Sequence, residues 1–172
     1  PNVRPNVTID SITPSPARFD ANVTFSGTAS DSDGNVVVYL WESSIDGELS
    51  TDEGFSSSDL SLGRHAITFM VQDNDGASNT VNQELLVYAF PVAIAGQDST
   101  GTPGVPLQFS GAGTDEDGTI VKYEWDFDGD GVNDTSGVGP HTYTYASPGT
   151  YTVSLTVTDE NNLTSSKETD VT

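Results

Sequence analysis

The sequence predicts an all-β chain built from two consecutive antiparallel β-sandwiches. Apolar and polar residues alternate along many short runs, which is the pattern of strands that bury one face. Clusters of Asp, Gly, Pro and Ser separate these runs, and no segment carries a helical stripe of apolar residues. An internal repeat divides the chain into two predicted domains, residues 1–88 and residues 89–172.

The repeat is clearest around the two tryptophans. Residues 31–42 match residues 115–126 at an offset of 84 positions, and residues 63–71 match residues 149–157 at an offset of 86. The second copy therefore has two extra residues between its Trp and the later strand. The copies meet near residues 88–91, a short linker without Gly, from which we expect a limited hinge.

The strands follow one another at short intervals in both copies. In the first copy, alternation predicts that Val37, Tyr39 and Trp41 face the core together. The equivalent strand of the second copy predicts the same for Val121, Tyr123 and Trp125. The other predicted strands and turns of the first copy are strands near residues 7–9, 23–25, 67–71 and from 81 onward, and turns at 14–16, 31–35 and 73–76.

Composition excludes several classes of protein. With 5 Lys and Arg against 26 Asp and Glu, the net charge is −21, divided almost evenly as −10 and −11 between the copies. Such a surface repels phosphate backbones and anionic lipids, so we expect neither nucleic-acid binding nor membrane docking. No run approaches the roughly 20 apolar residues that cross a bilayer. The absence of Cys excludes disulfides, thiolate zinc sites and a cysteine nucleophile.

The first residue of the chain and its acidity lead to two further expectations. Because the sequence begins at Pro1, we expect a mature product or an excised segment of a longer protein. The acidity is dominated by Asp, which suits surroundings rich either in salt or in calcium, and the sequence leaves both alternatives open.

One segment resembles a known family. The string Tyr123-Glu-Trp-Asp-Phe-Asp-Gly-Asp-Gly131, with Asp-Glu-Asp-Gly118 before it, is similar to the core motif of polycystic kidney disease (PKD) domains. The first copy is divergent, since it keeps Trp41 and a late Asp-Gly pair but lacks the Asp-Phe. The resemblance implies immunoglobulin-like sandwiches and non-catalytic extracellular modules, which usually occur in tandem in surface proteins and secreted hydrolases.

The second copy contains a candidate calcium loop. Asp126, Asp128 and Asp130 alternate and are followed by Gly131, a spacing that lets carboxylates converge on a hard cation. By analogy with an EF-hand loop, Val132 would offer its carbonyl and Asp134 a further carboxylate. The twelfth position is a glycine, so the loop is not a complete EF-hand. The alternative is a solvated acidic turn.

A second set of candidate metal ligands comes from the Asp-x-Asp-Gly loops, one in each copy. The resemblance implies that such loops bind calcium in some PKD-like modules together with acidic groups of the first strand. The alternative is an Asx turn closed by glycine. The candidate residues are Asp31 and Asp33 with Asp10 in the first copy, and Asp115 and Asp117 with Asp98 in the second.

The sequence offers little for catalysis. The two histidines, His65 and His141, lie outside any nucleophile or metalloprotease motif, so we predict that the chain is not an enzyme. Trp41 and Trp125 occupy equivalent positions, which favours a shared place in the core over a sugar-binding platform.

Two surface features complete the candidate sites. Four Asn-x-Thr sequons, barely more than chance supplies, give the glycosylation candidates Asn6, Asn22, Asn133 and Asn162. In the first copy, apolar residues fall at outward positions that are mostly polar in the second, which suggests a surface covered by a neighbouring domain, another subunit, a glycan or the loop 45–55. These interface candidates are Val36, Val38, Leu40 and Met70.

The function that follows is a non-catalytic, calcium-stabilised spacer or stalk segment of a cell-surface or secreted protein. The first alternative is a self-assembling subunit, with or without glycans, of an extracellular fibre or pilus-like filament. The second is an accessory module of a secreted hydrolase that binds polysaccharide or protein. The expected partners are neighbouring domains of the same chain or identical subunits.

Overall fold

The computed structural model describes residues 1–172 as sixteen β-strands in two compact units, Pro1–Ala89 and Phe90–Thr172. No helix in it is long and apolar enough to cross a membrane. The strands of unit 1 are β1 Asn6–Thr13, β2 Ala17–Arg18, β3 Val23–Ser30, β4 Val36–Ser43, β5 Gly47–Ser50, β6 Gly54–Ser57, β7 Gly63–Asp73 and β8 Ser78–Tyr88.

Unit 1 is a sandwich of two sheets. One sheet has the order β1-β3-β6 and the other the order β2-β8-β7-β4-β5. All neighbours are antiparallel except β2 and β8, which pair in parallel. The segment 45–55 forms β5 and the first half of β6 in opposite sheets, so it extends the two sheets at their edges.

An aromatic cluster fills the core of unit 1. Trp41 is completely buried and stacks on Phe69 with ring centroids 4.1 Å apart. Phe25 meets the indole edge-on at 5.7 Å. The predicted place of Trp41 in the core is therefore confirmed, as it is for Trp125 in unit 2, which is also completely buried.

A β-bulge corrects the predicted orientation at the start of β4. The register with β7 shifts between Val36 and Val38, so an extra residue enters the strand there. Val36 consequently packs against the core, and Val37 is 57% exposed, the reverse of the alternation expected from the sequence. Unit 2 repeats the bulge between Ile120 and Lys122, where Val121 is 61% exposed.

Unit 2 is a second sandwich. One side is a four-stranded antiparallel sheet with the order β13-β12-β15-β16, and the other side consists of the pairs β9-β11 and β10-β14. Its strands are β9 Val92–Ile94, β10 Leu107–Phe109, β11 Ala112–Thr114, β12 Ile120–Asp126, β13 Thr135–Ser136, β14 His141–Tyr143, β15 Tyr151–Asp159 and β16 Thr164–Val171.

The core of unit 2 is built around Trp125 and Phe127, whose rings stack 5.7 Å apart. The indole N–H donates to the Gly137 carbonyl at 3.1 Å. Glycine at position 111 lets the opposite sheet approach, because a Cβ there would lie 2.6 Å from the indole. Burial of this large side chain orients β12, and β12 ends at Asp126, the first residue of the acidic loop.

Candidate metal sites

The acidic loop of unit 2 brings three carboxylates together. Asp126 closes β12, and the chain turns through Asp128 and Asp130 before β13 begins. One carboxylate oxygen of each of the three residues lies within 4.8 Å of the others. Asp126 is buried, whereas Asp128 and Asp130 are exposed, so the group opens toward solvent.

Backbone amides hold the buried end of this loop. Asp126 accepts hydrogen bonds from Gly129 N at 2.7 Å and Gly131 N at 2.9 Å, one on each oxygen. Both glycines have positive φ, 74° and 84°, a conformation that a Cβ disfavours. Asp126 therefore fixes the turn whether or not a cation is bound.

The remaining predicted ligands of the loop have different roles. Asp134 accepts from Phe127 N at 2.7 Å and ties the two ends of the loop together. Val132 donates its N–H to Asp130 at 2.8 Å and has a side chain that is 66% exposed. The sequence reasoning missed Tyr143, whose hydroxyl donates to Asp128 at 3.3 Å and whose pKa is raised by burial and by the Asp128 carboxylate.

Replacing Asp126 by alanine should destabilise unit 2 even in the presence of a chelator. The change removes the carboxylate that accepts from the amides of Gly129 and Gly131, and a hydrogen bond to a charged group contributes about 1.5–3 kcal/mol. Chemical denaturation followed by circular dichroism measures the loss. Asp130→Ala, on the exposed side of the same turn, is the control and should cost less than about 1 kcal/mol. Equal losses would show that Asp126 has no special role in the turn.

A second acidic group in unit 2 lacks the partners that the loop has. Asp115 follows β11, and both of its carboxylate oxygens are shielded from solvent and have no hydrogen-bond donor from outside their own loop. Asp159, at the end of β15, is completely buried. One of its oxygens accepts from Asn161 N and Leu163 N at 2.8 Å each, and the other oxygen has no partner.

The pKa of Asp115 is shifted by its place in this group of carboxylates. Burial raises the pKa of Asp115, and the neighbouring Asp117 and Asp159 carboxylates raise it further. Asp159 was not a candidate in the sequence analysis. Its alignment with Asp73 at the equivalent strand end was the available signal, because a carboxylate at the same strand end of both copies indicates a shared task.

The donors of this second group suit a hard cation. All three side chains supply only oxygen, which is the ligand that Ca²⁺ prefers. A buried carboxylate oxygen without a partner is costly, and a bound cation would neutralise that cost. The donor type of Asp115, Asp117 and Asp159 is therefore the one that calcium prefers.

In unit 1 the equivalent carboxylates are mostly paired with groups of the same unit. Asn2 donates its amide to both oxygens of Asp73 at 3.3 and 3.1 Å, and Val3 N donates to Asp33. Although burial works against it, hydrogen bonds led by the Ala77 N–H lower the pKa of Asp73. Asp31 keeps one buried oxygen without a partner. Unit 1 therefore has less unpaired charge to neutralise than unit 2.

The first-strand aspartates lie away from these groups. Strand β1 pairs so that Asn6 is opposite Ser30, next to Asp31, and Asp10 is four residues further along. Asp10 instead accepts from the hydroxyls of Thr8 and Thr28, at 3.2 Å each. In unit 2, Val92 is opposite Thr114, the residue before Asp115.

Asp98 lies six residues beyond Val92 and bonds elsewhere. It accepts from the Thr169 hydroxyl at 3.1 Å and from Asp170 N at 2.9 Å. The strand register thus separates both first-strand candidates, Asp10 and Asp98, from the loops they were expected to join.

The surface candidates lie as follows. Asn6, Asn22, Asn133 and Asn162 are all exposed. The Asn133 amide donates to Glu124 at 3.0 Å, and Asn162 has a φ of 65° in a tight turn.

The outward patch of unit 1 is smaller than expected. Leu40 and Met70 are half-buried partners across β4 and β7, and Val38 is 36% exposed beside them. Val36 packs against the core, so it is not part of the outward patch.

The buried histidine of unit 1 has a structural environment. His65 Nδ1 lies 2.7 Å from the Ser43 hydroxyl and 3.4 Å from an Asp46 oxygen. Its Nε2 lies 2.8 Å from the Ser61 carbonyl. Ser and carboxylate thus approach the same ring nitrogen, whereas a catalytic triad needs them on opposite nitrogens. The hydrogen bonds of His65 link the end of β4 to the loop before β7. They do not have the geometry of a nucleophile activated by a base.

Comparison with known proteins gives one family. The model of the PKD domain matches residues 88–172. Pre-pro-metalloprotease PrtV of Vibrio cholerae serotype O1 is 36% identical over 127 residues, which cover 69% of this chain and 13% of that protein. Collagenase ColA of Clostridium perfringens is 39% identical over 87 residues, which cover 50% of this chain and 8% of that protein.

Two facts follow from these alignments. The chain spans roughly a tenth of the length of the curated relatives that it matches. The alignment with PrtV covers more than either unit, so it includes residues of both. Among solved structures, the PKD1 domain of the V. cholerae metalloprotease PrtV is 30% identical with a TM-score of 0.38, covering 49% of this chain and 94% of that chain.

Proposed function

The chain belongs to the PKD domain family through residues 88–172, and from this membership we propose that it is a non-catalytic segment of a larger extracellular protein. Its task is to hold neighbouring domains apart with two immunoglobulin-like sandwiches, of which the second is stabilised by calcium. Two of the relatives are a metalloprotease and a collagenase, which favours a secreted hydrolase as the parent protein.

The observation that carries the calcium proposal is the unpartnered charge in unit 2. Asp115 and Asp159 have buried oxygens without hydrogen-bond donors, and Asp117 adds a third carboxylate. Such a group destabilises a small sandwich unless a cation joins it. We assign the principal calcium site to these three residues and a second, more exposed site to Asp126, Asp128 and Asp130.

The acidic surface supports the same role. Each unit has its own core and carries a net charge near −10, which keeps such a segment soluble and apart from anionic partners. The partners we propose are the adjoining domains, with a protein or polysaccharide substrate of the parent enzyme as the second candidate. The similarity to proteases favours this accessory role over the fibre, for which the structure offers only Val38, Leu40 and Met70.

The pH dependence of unit 2 without calcium tests the assignment of Asp115. Because its folded-state pKa lies above the usual 3.8, the folded unit holds a proton that the unfolded chain has already released as the pH rises past that value. Without calcium, Asp115 therefore lowers the free energy of unfolding as the pH increases through the raised pKa. Asp115→Asn removes this effect and should unfold at a higher temperature than the wild type at pH 7 in chelator.

The control for this prediction is Glu116→Gln, an exposed change in the same loop. Carboxyl groups whose pKa is lowered, such as those of Asp98 and Glu160, make the free energy of unfolding rise with pH. They do so equally in every variant, so the difference between the wild type and Asp115→Asn reports the effect of Asp115 alone. Thermal unfolding from pH 4 to 8 measures it. A wild type and an Asp115→Asn variant with parallel curves would contradict the proposal.

A further inference from the structure

Unit 2 contains an apolar cavity that the calcium proposal does not use. Its volume is about 70 Å³, and its walls include Tyr145, Tyr151, Leu107, Pro103 and Pro148. The two tyrosine rings stack with centroids 4.2 Å apart. We call this cavity the tyrosine pocket.

The polar atoms of these tyrosines are already satisfied. Tyr145 donates its hydroxyl to the Phe127 carbonyl at 2.7 Å, and Tyr151 donates to the Ser147 carbonyl at 3.0 Å. The pocket therefore offers an occupant mainly ring and aliphatic surface. A sugar would find few partners there for its hydroxyl groups, so the lining favours a small apolar side chain.

Unit 1 has a bulkier side chain at the equivalent turn. Phe19 aligns with Pro103, and it packs against the core of unit 1. The two turns have the same geometry: Ala21 N donates to Arg18 O, and Val105 N donates to Thr102 O, at 3.0 Å in both cases. A phenylalanine thus packs against the core at this turn of unit 1, where unit 2 has a proline that lines the tyrosine pocket.

Negative charge lies beside the pocket. Thr172 lines both the tyrosine pocket and an adjoining polar hollow that contains Asp98 and Asp170. Hydrogen bonds from Asp170 N and the Thr169 hydroxyl lower the pKa of Asp98, so it is ionised at neutral pH. An occupant of the pocket is therefore favoured when it carries positive charge next to its apolar group.

We propose that the tyrosine pocket binds a prolyl ring of an extended, positively charged polypeptide. A prolyl ring is small and apolar, brings no N–H that needs a partner, and packs well on aromatic faces in the polyproline conformation. A Lys or Arg next to it reaches Asp98 and Asp170. The inference specifies a protein partner for the accessory role, and it does not depend on calcium.

Titration of the whole chain with peptides tests the proposal by nuclear magnetic resonance. The probe is a short peptide that alternates proline and arginine, and the two control peptides replace either every proline by alanine or every arginine by glutamate. We expect shifts at Tyr145, Tyr151 and Thr102, and affinities about tenfold lower for each control peptide, which corresponds to about 1.4 kcal/mol. No binding of the probe, equal binding of the alanine peptide, or shifts confined to other surfaces would overturn the proposal.

The matched variant is Pro103→Phe, which places in unit 2 the residue that unit 1 has at the equivalent position. It should reduce peptide affinity at least about tenfold while leaving the unfolding temperature unchanged or higher. Val138→Phe, at an exposed position outside the pocket, should bind like the wild type. If Pro103→Phe unfolds, Asp170→Asn is the second variant to be measured. It should lower the affinity for the peptide and make that affinity depend less on salt concentration.

The titration is repeated with calcium and with chelator, so that failure of the calcium proposal is distinguished from failure of this one. Undiminished binding to both Pro103→Phe and Asp170→Asn contradicts the assignment of the pocket.

Discussion

Replacing Trp125 by alanine is expected to cost unit 2 about 3–5 kcal/mol, which is the range for removing a fully buried indole. The side chain is completely buried, stacks on Phe127 and donates to the Gly137 carbonyl. A domain of this size has a total stability of only about 5–15 kcal/mol, so the variant should be marginally folded or unfolded.

Denaturant unfolding with amide spectra resolves which unit is lost. Trp125→Ala should broaden or collapse the signals of residues 90–172, and Trp41→Ala should do so for residues 1–89. Val121→Ala, on the same strand as Trp125 but 61% exposed, is the control and should change stability by less than about 0.5 kcal/mol. A loss below about 1 kcal/mol for Trp125→Ala would contradict the assignment of the core.

Much of this fold could be predicted because the sequence contains two copies of one repeat, which can be compared with each other. The two copies place Trp41 and Trp125 at one repeat position, and a shared position in an alternating strand indicates a shared core. The bulges before these residues could not be predicted. An extra residue in a strand cannot be recognised from the residue types alone. It reverses the orientation of Val36 and Val37 relative to strict alternation.

The candidate site was predicted only in part for a similar reason. Asp115 and Asp117 lie two positions apart in the sequence and were recognised as a loop, whereas Asp159 joins them from a strand more than forty residues later. Only the pairing of β12 with β15, which sets Ile120 opposite Asp159, brings this carboxylate to the loop. The same kind of register placed Asp10 and Asp98 elsewhere.

Calcium is expected to raise the unfolding temperature of unit 2 by about 10–20 °C. A ligand that binds only the folded state at a hundred times its dissociation constant adds about 2.7 kcal/mol. For a domain of 60–100 residues, each kcal/mol shifts the midpoint by about 4–8 °C. Unit 1, whose carboxylates have more donors of their own, should respond less.

Thermal unfolding in calcium and in chelator measures this effect, with amide signals assigning it to a unit. Asp115→Asn should lose most of the calcium response, and it should be the more stable protein when calcium is removed. Asp128→Asn, which affects the exposed loop, should keep most of the response. A response lost in Asp128→Asn but kept in Asp115→Asn would move the principal site to the loop.

The most direct measurement is calorimetric titration of calcium into the chelator-stripped chain, comparing the wild type with Asp115→Asn and Asp159→Asn. The assignment of calcium to Asp115, Asp117 and Asp159 predicts a binding event in the wild type that disappears in both variants. Absence of binding to the wild type, or binding that both variants retain, would contradict it.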